Sequence, residues 1–172
     1  MVIMSAMSAY LLTAFYLYTA IILLGNVNAE CPYGWHHYEL SCYFFSTDNY
    51  SWLNAQNSCR GHDARLAEVD NKAQSDYLML MARTLGKDHN YWLGGRDDVV
   101  EGTWMWSSTD EFFTYTDWYP EQPNNYLGNQ DCLHMHAAFN MKWQDESCTT
   151  LGRYICEKIY PENTASSPPI IG

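Results

Sequence analysis

Six cysteines constrain this chain more than any other feature: Cys31, Cys42, Cys59, Cys132, Cys148 and Cys156. None lies in residues 1–29, a stretch with no Asp, Glu, Lys or Arg that is almost wholly apolar from Ala9 to Leu24. Val27-Asn28-Ala29 then offers small residues where a signal peptidase cuts, so residues 1–29 read as a secretory signal peptide cleaved near Ala29. The alternative is a signal anchor, since Val2 to Leu24 is long enough to cross a bilayer. An anchor normally carries Lys or Arg on its cytoplasmic flank, and none is present. An even number of cysteines behind a secretory signal implies three disulfides. No two are spaced C-x-x-C, which argues against zinc. Spacing alone does not choose among the 15 possible pairings.

The formal net charge is −11, all of it after residue 29. That sign excludes a typical nucleic-acid binder. It suits contact with cations, mineral surfaces or neutral glycans, and also plain solubility. After cleavage no segment is left for stable membrane insertion.

Cys31 to Phe45 alternates aromatic and polar residues, as a small hairpin closed by Cys31 and Cys42 would. Asn49-Tyr50-Ser51 is the single N-x-S/T sequon, which makes Asn49 a glycosylation candidate in a surface turn. Ser51 is placed to cap a helix to about Arg60, with Trp52, Ala55 and Cys59 on one face and Gly61 as its end. Ala64 to Val69 alternates as a short strand. Asn71 with Gln74 starts a second helix, striped by Gln74, Tyr77, Leu78, Met81 and Leu85, with Gly86 as the stop. Short strand signals follow at Tyr91–Gly95, Trp104–Trp106, Phe112–Tyr115, Leu133–His136, Lys142-Trp143 and Arg153–Glu157. Two helices followed by many short strands indicate an α+β domain, with the helices flanking short antiparallel sheets. Between Gly95 and Cys132 runs a long stretch with little pattern, rich in Trp and Tyr and therefore expected to be an ordered loop region. The domain is expected over residues 30–160, followed by a flexible Pro/Ser-rich tail at 161–172.

Several motifs carry a resemblance. Cys-Pro-x-Gly-Trp at 31–35, Ser-Cys-Tyr at 41–43 and Trp-x-x-Ala-x-x-x-Cys at 52–59 resemble the long-form C-type lectin domain. So do Tyr-Trp-Leu-Gly-Gly at 91–95, Glu-Gly at 101–102 and Gln-Pro-Asn at 122–124. Trp-Gln-Asp at 143–145 and Tyr-Ile-Cys-Glu at 154–157 complete a collinear match over residues 31–158. Within the family the chain is most similar to small secreted molluscan lectins of the perlucin type. The resemblance implies the C-type lectin-like fold and the pairings Cys31–Cys42, Cys59–Cys156 and Cys132–Cys148.

The resemblance also gives a meaning to the oxygen-rich run Glu121–Cys132. Calcium takes six to eight oxygens at roughly 2.3–2.6 Å. A cis bond at Gln122–Pro123, which X-Pro tolerates, would aim the Gln122 and Asn124 side-chain carbonyls at one point. Carried over by position, a calcium and sugar-binding site would be Gln122, Asn124, Gln130, Gln144 and Asp145. Two vicinal sugar hydroxyls would complete the ion's coordination. An auxiliary calcium site would be Asp97, Glu101, Asn125, Gln130 and Asp131. The first set departs from strong mannose-type members, which have Glu at 122 and 130 and Asn at 144. It has one carboxylate, so it is expected to hold calcium weakly. Gln-Pro-Asn lies between the mannose-associated and galactose-associated patterns and does not choose the glycan. Glu121 and Glu146 match no ligand position. Trp118 and Tyr126 are candidates either for stacking on a sugar or for the core.

An enzyme is not expected, because no nucleophile sits in a recognisable turn. His134 and His136, two apart on a strand, read as a zinc pair or, more plainly, as a surface pair beside a disulfide. The rival function is a calcium-independent domain that binds protein or a mineral surface. The domain is also a possible homo-oligomer, since weak sugar sites gain by avidity.

Overall fold

Tyr91, Trp92 and Leu93 are all fully buried because their strand has apolar material on both faces. A computed structural model of the chain describes residues 31–159, so the expected signal peptide and tail lie outside the described residues. The strands are β1 (His36–Tyr38), β2 (Ser41–Phe45), β3 (Arg65–Leu66), β4 (Tyr91–Arg96), β5 (Met105–Trp106), β6 (Cys132–His136), β7 (Lys142–Glu146) and β8 (Arg153–Ile159). The helices are α1 (Trp52–Arg60) and α2 (Lys72–Gly86), with 3-10 turns at Tyr126–Gly128 and Ala137–Phe139. The main sheet path is β1-β2-β8-β4-β6-β7, with β3 beside β8 and β5 beside β4.

One face of β4 sends Tyr91 and Leu93 into a large core with Leu133, Met135, Trp143, Leu78 and Ile155. The other sends Trp92 into a second cluster with Trp52, Ala55 and Cys59 of α1. Two indole hydrogen bonds fix this layer: Trp52 Nε1 donates to Leu93 O at 2.8 Å and Trp92 Nε1 to Tyr50 O at 2.9 Å. Gly95 has no room for a side chain, since a Cβ there would lie 2.4 Å from the Phe113 ring. The disulfides join Cys31 to Cys42, Cys59 to Cys156 and Cys132 to Cys148. The second closes 97 residues and staples α1 to β8.

The structure revises several expectations. The sheet is mixed, because β4 and β8 run parallel with Tyr91 opposite Arg153 and Trp92 opposite Tyr154. Only Arg65-Leu66 of the 64–69 segment is strand. Phe112–Tyr115 contributes a single bridge, Phe112 to Met105. The Ser51 side chain makes no cap hydrogen bond, whereas Asn71 accepts from Gln74 N at 2.9 Å. Gln74 is held further, its oxygen taking Asp70 N and its amide reaching Glu68 O and Tyr43 Oη. Helix α2 runs through Gly86, and Leu85 is exposed rather than part of the packed stripe. Ser75 and Ala82 take that face instead.

Candidate functional site

Two segments meet at one end of the sheet. Strand β6 starts at Cys132, directly after the oxygen-rich loop, and pairs with β7 so that Cys132 faces Glu146 and Leu133 faces Asp145. The Cys132–Cys148 bridge closes the same edge. Gln144 and Asp145 therefore sit on a rigid strand beside the loop, both buried.

The Asp145 carboxylate is aimed at the loop backbone. Both its oxygens lie 3.0 Å from Asn124 N, and Oδ2 also accepts from Asn125 N. Next to it, the carbonyl oxygens of Asn124 and Gln130 converge on one donor, Tyr126 N, at 3.0 and 2.8 Å. The Gln122–Pro123 peptide bond is cis. Gln122 Oε1 is buried with no hydrogen-bond partner. Gln144 is less tied to the group, since its amide donates to Glu146 Oε2 at 3.1 Å. Of the five residues, then, Asn124, Gln130 and Asp145 are joined through loop N–H groups, Gln122 presents an unmatched acceptor, and Gln144 is steered by Glu146.

The auxiliary set is built around Asp97, at the end of β4 and almost wholly buried. Its Oδ2 accepts from Gly102 N at 2.9 Å, while Oδ1 is buried and has no partner. Its backbone N–H donates to Asp131 O at 3.2 Å. Glu101 accepts a hydrogen bond from the Asn125 amide, and Asn125 Oδ1 accepts from Gln130 N at 3.1 Å. Burial, and then the negative charges of Glu101, Asp131 and Asp145, push the Asp97 carboxyl up to about 6, against the opposing Gly102 N–H bond.

These features fit a hard cation. Buried oxygens without donors cost free energy unless something positive meets them. Gln122 Oε1 and Asp97 Oδ1 are such atoms, one in each candidate site. Among the described residues no three His, Cys, Asp or Glu side chains already converge for a metal, so amide oxygens must carry much of any coordination. Gln122, Asn124, Gln130, Gln144 and Asp145 would hold one calcium, and Asp97, Glu101, Asn125, Gln130 and Asp131 another.

Trp118 packs edge-on against Trp104 and Trp143, so it belongs to the core rather than to a sugar face. Tyr126 is exposed. Asn49 is exposed as well, in the turn before α1. The histidines are not a surface pair. His134 is fully buried, its ring stacked on Trp92 at 4.1 Å with neither nitrogen bonded, and burial lowers its pKa to about 3. His136 is half-buried beside Phe139. Alternation did not show this, because the β6 face away from the main core is covered by Trp92.

Comparison with known proteins places the chain. Residues 48–158 match the lectin C-type domain profile. Perlucin of Haliotis laevigata is 38% identical over 129 residues, spanning 74% of this chain and 83% of that protein. The crystal structure of C-type lectin CEL-I from Cucumaria echinata superposes with a TM-score of 0.72 at 24% identity, covering 77% of this chain and 99% of that one, and so shares its fold. A calcium-independent type II antifreeze protein superposes with a TM-score of 0.65 at 27% identity, covering 76% and 95%. The matched span takes in both walls of the site, from Asp97 to Asp145, and the family is a non-enzymatic one. On sequence and fold together, this chain belongs to the C-type lectin domain family.

Proposed function

We propose that this protein is a secreted lectin that binds glycans through vicinal hydroxyls on a calcium ion held by Gln122, Asn124, Gln130, Gln144 and Asp145. The observation that carries the reading is Gln122 Oε1, buried without a donor beside a loop whose backbone is anchored on Asp145. Calcium, when bound, supplies the positive charge those oxygens lack and leaves coordination positions for two adjacent hydroxyls. The chain's own part is recognition. Asn124 and Gln130 carry carbonyl oxygens able to accept from hydroxyls and amide groups able to donate to them. Asp145 holds the loop in register with the strand. Asp97, Glu101, Asn125, Gln130 and Asp131 form the auxiliary calcium site, tied to the same loop through Asn125 and Gln130.

Residues 1–29 act as the cleaved leader and 161–172 as a tail outside the domain, and exposed Asn49 is open to glycosylation. Among the described residues no helix is long and apolar enough to cross a membrane.

A second reading has a specific observation behind it. A calcium-independent antifreeze protein shares the fold at 27% identity, and the sugar site here has one carboxylate. On that reading the domain contacts protein or mineral without calcium. A glycan array probed in millimolar calcium and again in EDTA decides between them. Signal on mannose- or galactose-terminated glycans that EDTA abolishes supports the lectin. No signal on any glycan, with chelation-resistant binding to other surfaces, rejects it.

A further inference from the structure

Strand β7 ends on a carboxylate that neither calcium set uses. Glu146 faces Cys132 across the β6–β7 pair, and the Cys132–Cys148 bridge closes the turn that follows it, so its backbone is held on both sides. Its Oε1 accepts from Ser147 N at 2.9 Å and from Thr150 Oγ1 at 3.2 Å. Its Oε2 accepts from Gln144 Nε2 at 3.1 Å. Both oxygens are therefore met by donors, which holds the carboxylate in one orientation. Residues two apart on a strand share a face, so Gln144 is the neighbour that Glu146 reaches along β7. Gln144 is buried, and its nitrogen is the end committed to Glu146. Among the described residues its Oε1 accepts no hydrogen bond.

We propose that Glu146 is a positioning residue for the sugar-site calcium, fixing which end of the Gln144 amide is offered to the ion. The inference rests on the calcium reading above. A side-chain amide has a donor end and an acceptor end of nearly the same shape, and only the oxygen coordinates a hard cation. Something must choose between the two ends. An ionised carboxylate accepts and never donates, so it takes the nitrogen and leaves the oxygen free. Asp145 is the one carboxylate in this set, so the direction of each amide oxygen matters more than in a site rich in charge. Donation to a charged acceptor also polarises the amide and makes its oxygen more negative. A direct ligand role fits Glu146 less well, because Oε2 would have to release Gln144 to reach an ion. Groups that hold a ligand rather than the metal typically change metal affinity by about 10–100-fold when substituted.

The test is Glu146→Gln. The new carbonyl oxygen still accepts from Ser147 N and Thr150 Oγ1, so the turn is kept, but position 146 now presents an amide nitrogen to Gln144. Gln144 must turn its own oxygen toward that donor and away from the ion. Calcium is titrated into isotope-labelled protein and followed by NMR on the side-chain amide of Asn124, which belongs to the sugar set alone. The expected result is calcium affinity lowered about tenfold or more, with thermal unfolding in EDTA unchanged from wild type. The same substitution is then made in a Gln144→Glu background, where a carboxylate offers oxygen in either rotation and needs no orienting. There Glu146→Gln is expected to leave affinity unchanged or to raise it. Equal losses in both backgrounds overturn the inference and make Glu146 a ligand or a plain source of charge. Unchanged or tighter binding from Glu146→Gln alone also overturns it, and means that Glu146 draws Gln144 off the ion. A wild-type Asn124 resonance that millimolar calcium does not move overturns the calcium reading itself, and this inference with it.

Discussion

Asp145, on strand β7, bonds through both carboxylate oxygens to the backbone N–H of Asn124, 21 residues earlier in the chain. This is the covalently unassisted half of the link between strand and loop. Replacing Asp145 by Asn keeps the shape and removes the charge. Charge-assisted hydrogen bonds are worth about 1.5–3 kcal/mol, so Asp145→Asn is expected to lower stability by about 1–2 kcal/mol in EDTA. The same variant is expected to lose calcium-dependent sugar binding. Thermal unfolding measured with and without calcium separates the two effects, since calcium stabilisation follows its site affinity.

Adding charge tests the weakness of the site. Gln122→Glu/Gln130→Glu places two carboxylates where the wild type has amides. Affinity for calcium rises with ligand charge, and a gain of about tenfold or more by titration calorimetry is expected. Without calcium the same charges repel one another and Asp145, so the apo variant is expected to melt below wild type. A variant that binds calcium no better would place the ion elsewhere.

The sequence exposed the frame of the molecule more fully than its margins. Helix α1 was legible because Trp52, Ala55 and Cys59 recur at helical spacing, and that face is buried. Asn71 was legible as a cap because its chemistry is local. Leu85 was misplaced because periodicity continues past the point where the core stops. The parallel pairing of β4 with β8 was not legible, since it joins strands far apart in sequence through a neighbour choice that no local pattern encodes. In the site, the oxygen-rich run stood out by composition. The convergence of Asn124 and Gln130 on Tyr126 N did not, because it depends on loop backbone angles.

Stability should depend on pH through His134. Its folded pKa is pushed down to about 3 by burial, below the usual value near 6.5. Between those values the unfolded chain takes up a proton that the folded chain refuses, so this contribution destabilises the domain as pH falls from about 6.5 toward 3. The slope is up to about 1.4 kcal/mol per pH unit. His134→Phe keeps a ring against Trp92 and does not titrate. Urea unfolding in EDTA at pH 7 and pH 5 is expected to show a smaller loss for the variant than for the wild type. Equal losses would mean that the buried ring is not the group responsible.

The Cys59–Cys156 bridge ties α1 to β8 across a sequence separation of 97. In the chain-entropy account, closing a loop of that length stabilises the fold by about 4–5 kcal/mol, a large share of the roughly 5–15 kcal/mol typical of a domain. The Cys31–Cys42 bridge spans a separation of only 11 and closes a hairpin that β1–β2 pairing already holds. Removing it by paired Ser substitution is expected to cost clearly less, about 2–3 kcal/mol. Cys59→Ser/Cys156→Ser, which also puts polar hydroxyls into the cluster around Trp52 and Trp92, is expected to leave the domain largely unfolded at 37 °C. Denaturant titration of the two double variants checks the order. If the short hairpin bridge proved the more costly to lose, the long crosslink would not be the main constraint on the unfolded chain.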